Sequence, residues 1–291
     1  MIPRMLRPIL SVTAGLVLAT GLGAQAPAPK LEFPAASPSA TVKQRVGLTD
    51  IEITYARPSV RGRRIFGGME PYGAVWRTGA NTATKITLST PVKLNGTAVA
   101  AGTYELFTIP GESEWTVILH KNLSQWGTYA YDAKNDVARI KATPVALAKP
   151  VETFTISFDN LANESAATLT LAWEKTSVPV RIETDVVGPL VPKIEAAMAG
   201  EGKKPYFSAA MFYYENNLDL KKAAEWMDAG LAADPEAFYM VYRKGLILEK
   251  MGDKAGALAA ANKSLEMTRK EKGSIRDEYI RLNEALIARV R

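Results

Sequence analysis

The densest chemistry in the chain lies in residues 57–81, where Arg57, Arg61, Arg63, Arg64 and Arg77 stand against a single acid, Glu70, and glycines recur at 62, 67, 68, 73 and 79. Planar guanidinium groups at this density can converge on an anion: a phosphate, a sulfate, a carboxylate or an acidic sugar. The glycines would let backbone N–H groups approach the same ligand. Arg57, Arg64, Trp76, Arg77 and Asn81 form the first candidate ligand site. Within it Arg77 and Asn81 are expected to face inward, because they follow Trp76 on what reads as a strand end, while Arg61 and Arg63 are expected to be exposed. The competing reading is that the arginines are solvated, or pair with acids such as Glu52 and Glu70 across a sheet edge, where ion pairs carry little energy.

Aromatic residues supply a second candidate. Trp126, Tyr129 and Tyr131 sit in a loop rich in Asn, Ser and Gly, where rigid rings can stack on a sugar. Trp115 and Trp173 alternate with apolar neighbours and read as core. Catalytic chemistry is sparse by comparison. His120 is the only histidine; it ends a strand pattern beside Lys121 and reads as structural or exposed. Glu112 with Glu114, and Asp132 with Asp136, lie on turns with no cleft implied by their spacing. No nucleophile elbow, phosphate loop or zinc motif occurs. Cysteine is absent, which excludes disulfides, thiol nucleophiles, iron–sulfur clusters and cysteine-bound zinc. No catalytic residue, metal or cofactor is assigned.

These residues must be positioned by a chain of 291 residues, long enough for two domains with their own cores. The net charge of +6 is spread too evenly for a nucleic-acid partner. Residues 1–24 read as a secretory signal: Arg4 and Arg7, an apolar run over 9–19, then small residues up to a cleavage point after Ala24. The run is shorter than the roughly 20 residues of a spanning helix, so no transmembrane segment is expected after signal removal. The protein is therefore expected in a bacterial periplasm or outside the cell. Residues 25–36, rich in Ala and Pro, read as a disordered tether.

From 37 to 187 the apolar residues alternate. The pattern predicts strands over 41–46, 51–55, 86–88, 92–94, 97–99, 104–109, 115–120, 151–158, 168–173 and 178–182. Asn95-Gly96 between two of them is a type I′ hairpin signal, because both residues tolerate positive φ. Many short strands without a helical pattern predict an antiparallel β-sandwich, jelly-roll-like in arrangement. Residues 188–204 read as a helix and linker. From 205 to 291 the spacing becomes helical and repeats at 34 residues: Asp219 with Asp253, Ala223 with Ala257, Leu231 with Leu265. That is the tetratricopeptide period. Two repeats need covers, expected from helices over 190–198 and 277–290. On this pattern Ser208, Phe212, Glu215, Tyr239, Tyr242, Leu246 and Lys250 line a candidate groove for an extended protein segment. The rival reading packs that face on the β-domain.

The β-half also resembles an uncharacterised family of exported bacterial proteins, domain-of-unknown-function family number 2911. The resemblance rests on Tyr55-Ala-Arg-Pro-Ser, Arg64-Ile-Phe-Gly-Gly, Val75-Trp-Arg-Thr-Gly-Ala-Asn, Ala101-Gly-Thr-Tyr, Leu106-Phe-Thr-Ile-Pro, Trp115-Thr-Val-Ile and Gln125-Trp-Gly. It implies coverage of nearly all the mature chain, with a helical tail, and carries no activity. The expectation is an exported, non-enzymatic binding or scaffold protein. Its arginine loop would hold an anionic or glycan ligand and its helical tail a protein partner. The alternatives are a carbohydrate-binding module on Trp126, Tyr129 and Tyr131, and a hydrolase using acids such as Glu70 or Asp132 with Arg77.

Overall fold

The computed structural model describes residues 33–162 and 165–291. The predicted signal segment, and the tether up to residue 32, lie outside the described residues. Ten strands come first: β1 (Ser39–Val46), β2 (Thr49–Ala56), β3 (Thr84–Leu88), β4 (Val92–Leu94), β5 (Thr97–Val99), β6 (Gly102–Ile109), β7 (Trp115–His120), β8 (Asp136–Ala142), β9 (Val145–Ala162) and β10 (Ala166–Thr184). They form two antiparallel sheets. The larger runs β1-β2-β3-β6-β7-β8 and the smaller β5-β4-β10-β9.

Alternation builds the sandwich. In β3, Thr84, Ile86 and Leu88 are buried while Lys85 and Thr87 are exposed, as a half-buried strand requires. The Asn95-Gly96 turn adopts φ of 44° and 81° and sets the register Leu94↔Thr97 and Val92↔Val99. The Asn95 side chain also joins the two sheets, accepting the Arg181 N–H at 2.7 Å and donating to the Lys141 carbonyl at 2.8 Å.

Two features depart from the strand prediction. β8 was not foreseen: its inward residues are Ala138, Ile140 and Ala142, and small alanines give a weak apolar signal. The runs predicted over 151–158, 168–173 and 178–182 belong to one long hairpin of β9 and β10. Pro179 interrupts nothing, because β10 leaves β9 at Ser177 and joins β4 only at Ile182; no ladder N–H is needed between.

At the centre of the core lie Tyr55, Phe66, Trp76, Trp115, Phe154 and Trp173. Trp76 stacks on Trp173 with ring centroids 5.6 Å apart, and meets Phe154 edge-on at 5.1 Å. Both indoles keep their N–H groups partnered, Trp76 to the Gly79 carbonyl at 3.1 Å and Trp173 to the Glu152 carbonyl at 3.3 Å, so burial leaves no polar group stranded.

Six helices follow: α1 (Val187–Ala199), α2 (Tyr206–Glu215), α3 (Leu220–Ala233), α4 (Phe238–Met251), α5 (Lys254–Thr268) and α6 (Ser274–Val290). Asp219 and Asp253 are the N-caps of α3 and α5, accepting the backbone N–H of Lys222 at 3.0 Å and of Gly256 at 2.8 Å. The 34-residue spacing of these aspartates thus marks equivalent turns. Ile194 of α1 packs with Ala210, Met227 and Ile247, while Leu286, Ile287 and Val290 of α6 pack with Tyr242, Leu246 and Ala261.

The burial of Trp76 has a measurable consequence. Trp76→Ala is expected to lower the unfolding free energy by about 3–5 kcal/mol, whereas the exposed Trp126→Ala should stay within about 0.5 kcal/mol of wild type. Urea denaturation of the two variants checks this; similar losses in both would contradict the core position of Trp76.

Candidate functional site

Beside β6, the ladder that β3 leaves at Thr84 is continued by Trp76, which exchanges both backbone hydrogen bonds with Thr108 at 2.7 and 2.9 Å. Strand alternation then decides the next residue: with Trp76 turned into the core, Arg77 turns to the opposite side. The chain folds back immediately. Thr78 is held at φ 55°, and Thr84 closes the loop by donating its N–H to the Arg77 carbonyl (3.2 Å) and its hydroxyl to the Thr78 carbonyl (2.6 Å).

A second loop is laid along this one. Thr82 forms a bridge with Trp126, Ala83 donates to the Gln125 carbonyl at 3.1 Å, and Gly127 donates to the Asn81 carbonyl at 3.2 Å. Gln125 points inward and anchors the second loop. Its backbone N–H and its side-chain amide donate to the Glu105 carboxylate at 2.9 and 2.7 Å, and the amide also lies 3.1 Å from His120 Nδ1. His120 Nε2 faces the Asp132 carbonyl at 3.2 Å and Nδ1 receives the Asn122 N–H at 3.2 Å. A carbonyl can only accept, so the ring proton sits on Nε2 and both nitrogens are committed. His120 is fully buried and structural.

The arrangement brings Arg77 beside Tyr129. A Cβ placed on Gly127 would lie 3.0 Å from the Tyr129 ring and 3.3 Å from Arg77 Nη1, so the missing side chain, at a φ of 70°, is what lets the two flank one glycine. Tyr129 is 90% exposed and Trp126 62%. Arg77 Nε is buried without a hydrogen-bond partner among the described residues. A buried donor left unpaired costs free energy, which marks the guanidinium as incomplete.

The Arg77 charge also acts on Glu70. Burial pushes the Glu70 carboxyl from its ordinary 4.5 up to about 7, with the Arg77 and Arg63 charges pulling it back only in part. Arg63 itself is engaged, donating to the Val60 and Ser59 carbonyls at 2.9 and 2.6 Å.

The other predicted residues fall out as follows. Arg57 is tied to β9, donating to the Phe154 carbonyl at 3.0 Å and to Thr155 Oγ1 at 2.7 Å. Exposed Arg64 lies by Gly67 and Tyr72. Trp76, with 2% exposure, offers no face to a ligand. Asn81 is exposed rather than inward, and supports the turn at φ 61°, donating to the Ser37 carbonyl at 3.3 Å. Tyr131 leaves the aromatic group: its ring lies on Phe107 at 5.2 Å and its hydroxyl donates to Asp136 at 2.8 Å, so burial and that carboxylate push it up to about 12. In the tail, Phe212, Glu215 and Lys250 line a cleft of about 750 Å³ with Leu48 and Ser165 of the β-turns. Ser208 is exposed and Tyr239 half-buried, but Tyr242 and Leu246 are buried under α6 and cannot line an open groove. Among the described residues no three His, Asp or Glu side chains converge as a metal would need.

Reading the sequence kept the arginine and aromatic candidates apart, and missed Gly127 as the point where they meet. It also missed Glu105, which is 1% exposed; a lone acid on the same strand face as Phe107 was the available signal.

The Glu70 shift has a definite sign. A carboxyl whose folded value is raised holds its proton better in the native state, so stability falls as pH rises from the ordinary carboxyl range to about 7. Glu70→Gln removes that loss. Chemical denaturation at about pH 5 and about pH 8 is expected to show the difference between variant and wild type moving in the variant's favour at the higher pH; a pH-independent difference would contradict the buried carboxyl.

No curated protein matches the chain, and no solved structure does. One family matches residues 37–182, described as "Protein of unknown function (DUF2911)". The match spans the strands from β1 into β10 and every residue of the Arg77 site, and stops short of the helical tail, so it covers less than the resemblance implied. The chain belongs to the DUF2911 family.

Proposed function

We propose that the protein is an exported, non-enzymatic binding protein whose β-domain takes an anionic ligand on Arg77. The observation that carries this reading is the Arg77 guanidinium: Nε is buried and unpartnered, while Nη1 flanks Gly127 beside the exposed Tyr129 ring. Other arginines of the loop lack this character, Arg57 and Arg63 being spent on backbone carbonyls. A guanidinium held in place and short of an acceptor is prepared for an incoming oxyanion. The committed nitrogens of His120 weigh against a hydrolase built around the single histidine.

The tetratricopeptide-like tail supplies a second, protein-binding surface on this reading. Its supporting observation is the cleft shared by Phe212, Glu215 and Lys250 with Leu48 and Ser165, which would let one bound segment touch both the helices and the β-turns.

Thermal unfolding of the chain with sulfate, phosphate and acetate tests the anion site. A ligand at a hundred times its dissociation constant adds about 2.7 kcal/mol, a shift of a few degrees. Arg77→Ala and Arg77→Lys are expected to lose the shift, because a lysine cannot reproduce the planar fork. Arg57→Ala is expected to lower the midpoint while leaving the ligand shift intact. An anion shift that survives in Arg77→Ala would overturn the assignment.

A further inference from the structure

We infer that His120, Gln125 and Glu105 form a proton-operated latch: a proton taken up on His120 Nδ1 drives the Gln125 amide out from between the other two side chains and releases the loop that carries Trp126 and Gly127. The inference concerns how this loop is held and stands apart from what Arg77 binds.

One amide nitrogen sets the closed state. Gln125 Nε2 lies 2.7 Å from Glu105 Oε2 and 3.1 Å from His120 Nδ1, and the two residues it bridges are direct partners in the register of β6 and β7. All three side chains are buried. Two N–H groups converge on Nδ1, from the Gln125 amide and from the Asn122 backbone at 3.2 Å, while Nε2 donates to the Asp132 carbonyl at 3.2 Å. The ring therefore holds the loop only while Nδ1 keeps its lone pair. The bridge is also imperfect. Gln125 Oε1 is buried without a partner among the described residues, which costs the closed state free energy.

A proton on Nδ1 inverts the contact. The nitrogen becomes a donor facing two donors, so both of its bonds to the 122–125 stretch are lost together. Its new N–H finds an acceptor once the amide leaves, because Glu105 Oε2 stands on the other side of that amide nitrogen. An imidazolium on a carboxylate makes a charge-assisted bond, and the displaced amide carries its unpaired oxygen toward water.

The other charged and titratable groups around the ring leave this exchange open to Glu105. From β8, Asp136 stands opposite His120, but its carboxylate is held by the Tyr131 hydroxyl at 2.8 Å and by Arg139 at 2.6 Å. The Tyr131 ring lies 5.4 Å from the imidazole. Asp132 meets the imidazole through its backbone carbonyl, and Lys121, next in the chain, is exposed. The closed loop requires the neutral ring, so its hold is full above the ordinary imidazole range of about 6.5 and weakens as pH falls through it. Glu70 acts in the opposite sense, since its raised carboxyl favours the folded state in acid.

Amide hydrogen exchange of the full chain at about pH 7.5 and about pH 5.5, corrected for intrinsic rates, tests the latch. Ala83 donates to the Gln125 carbonyl and Gly127 to the Asn81 carbonyl, so these amides report whether the loops stay joined. An opening linked to one proton shifts by up to about tenfold per pH unit, and both amides are expected to lose at least about tenfold in protection at the lower pH. The Trp76 and Thr108 amides, bonded to each other's carbonyls, are expected to keep theirs. His120→Asn, which retains a side-chain acceptor without a titrating ring, is expected to abolish the pH dependence, and Glu105→Gln, which removes the counter-charge, to reduce it several-fold. Nitrogen chemical shifts of the single histidine supply a readout that needs no substitution: one protonated ring nitrogen in the closed form, two in the acid form. If His120→Asn does not fold by circular dichroism, these shifts and the wild-type exchange decide the matter. Equal protection of Ala83 and Gly127 at both pH values would overturn the latch. So would acid opening that persists in folded His120→Asn, opening with the ring still singly protonated, or loss of protection at Trp76 and Thr108 together with the loop, which is global acid unfolding.

Discussion

The contact on which the rest of the β-domain depends is the stacking of Trp76 on Trp173 in the space between the sheets. It joins a loop residue to β10, and through Trp115 and Phe66 to the remainder of the core. Because the chain around Trp76 is extended against β6, fixing that ring inward also fixes Arg77 outward. The candidate site is thus a consequence of core packing. An indole of this size has few alternative ways to fill its space, so the guanidinium beside it inherits a defined position without needing a salt bridge to hold it.

A polar network performs the matching task for the facing loop. Glu105 lies in a strand and is almost fully buried, a costly location for a carboxylate unless hydrogen bonds compensate it. Gln125 supplies two of them, and His120 buttresses the same amide. With Gln125 drawn in, its neighbour Trp126 is turned out to solvent, and Gly127 is brought against Arg77. Two independent anchors, one apolar and one polar, therefore set the two loops that meet at Gly127. Among the described residues this double bracing leaves two buried polar atoms unpaired, the Arg77 Nε donor and the Gln125 Oε1 acceptor.

Much of the architecture was legible from local rules. Alternation located most strands because each has one buried face, the Asn95-Gly96 turn could be read because positive φ is expensive for other residue types, and Asp219 and Asp253 could be read as repeat markers at a spacing of 34 residues, which the structure resolves as two equivalent N-caps. What could not be read were choices decided across the fold. Trp76 and Trp126 each lie within three residues of a glycine, and nothing near either in sequence says that one stacks on Trp173 while the other faces water. Tyr131 and Tyr129 are two residues apart, yet an Asp136 carboxylate and the Phe107 ring draw only the first inward. The approach of Arg77 to Tyr129 depends on two loops of distant origin pairing at Thr82 and Trp126, a contact without any periodic signal. Tyr242 and Leu246 show the same limit in the tail: helical spacing put them on a common face with Lys250, but α6 covers them and leaves Lys250 outside.

The boundary of the family match divides the molecule's surfaces in a way that bears on function. Every residue of the Arg77 site lies within residues 37–182, whereas the cleft near Lys250 is built from both sides of that boundary, by Gly47, Leu48 and Ser165 from the matched stretch and by Phe212, Glu215 and Lys250 from the helices. β10 runs on past the boundary to Thr184, and α1 begins at Val187, so no long linker separates the two parts. Lys250 is held over the Tyr214 ring at 4.6 Å and donates to the Tyr214 carbonyl at 2.7 Å, which fixes its ammonium at the rim of the cleft instead of leaving it to sweep through solvent. A cleft made by two parts responds to any shift between them, while the pair of loops that meets at Arg77 and Gly127, braced wholly within the β-domain, does not.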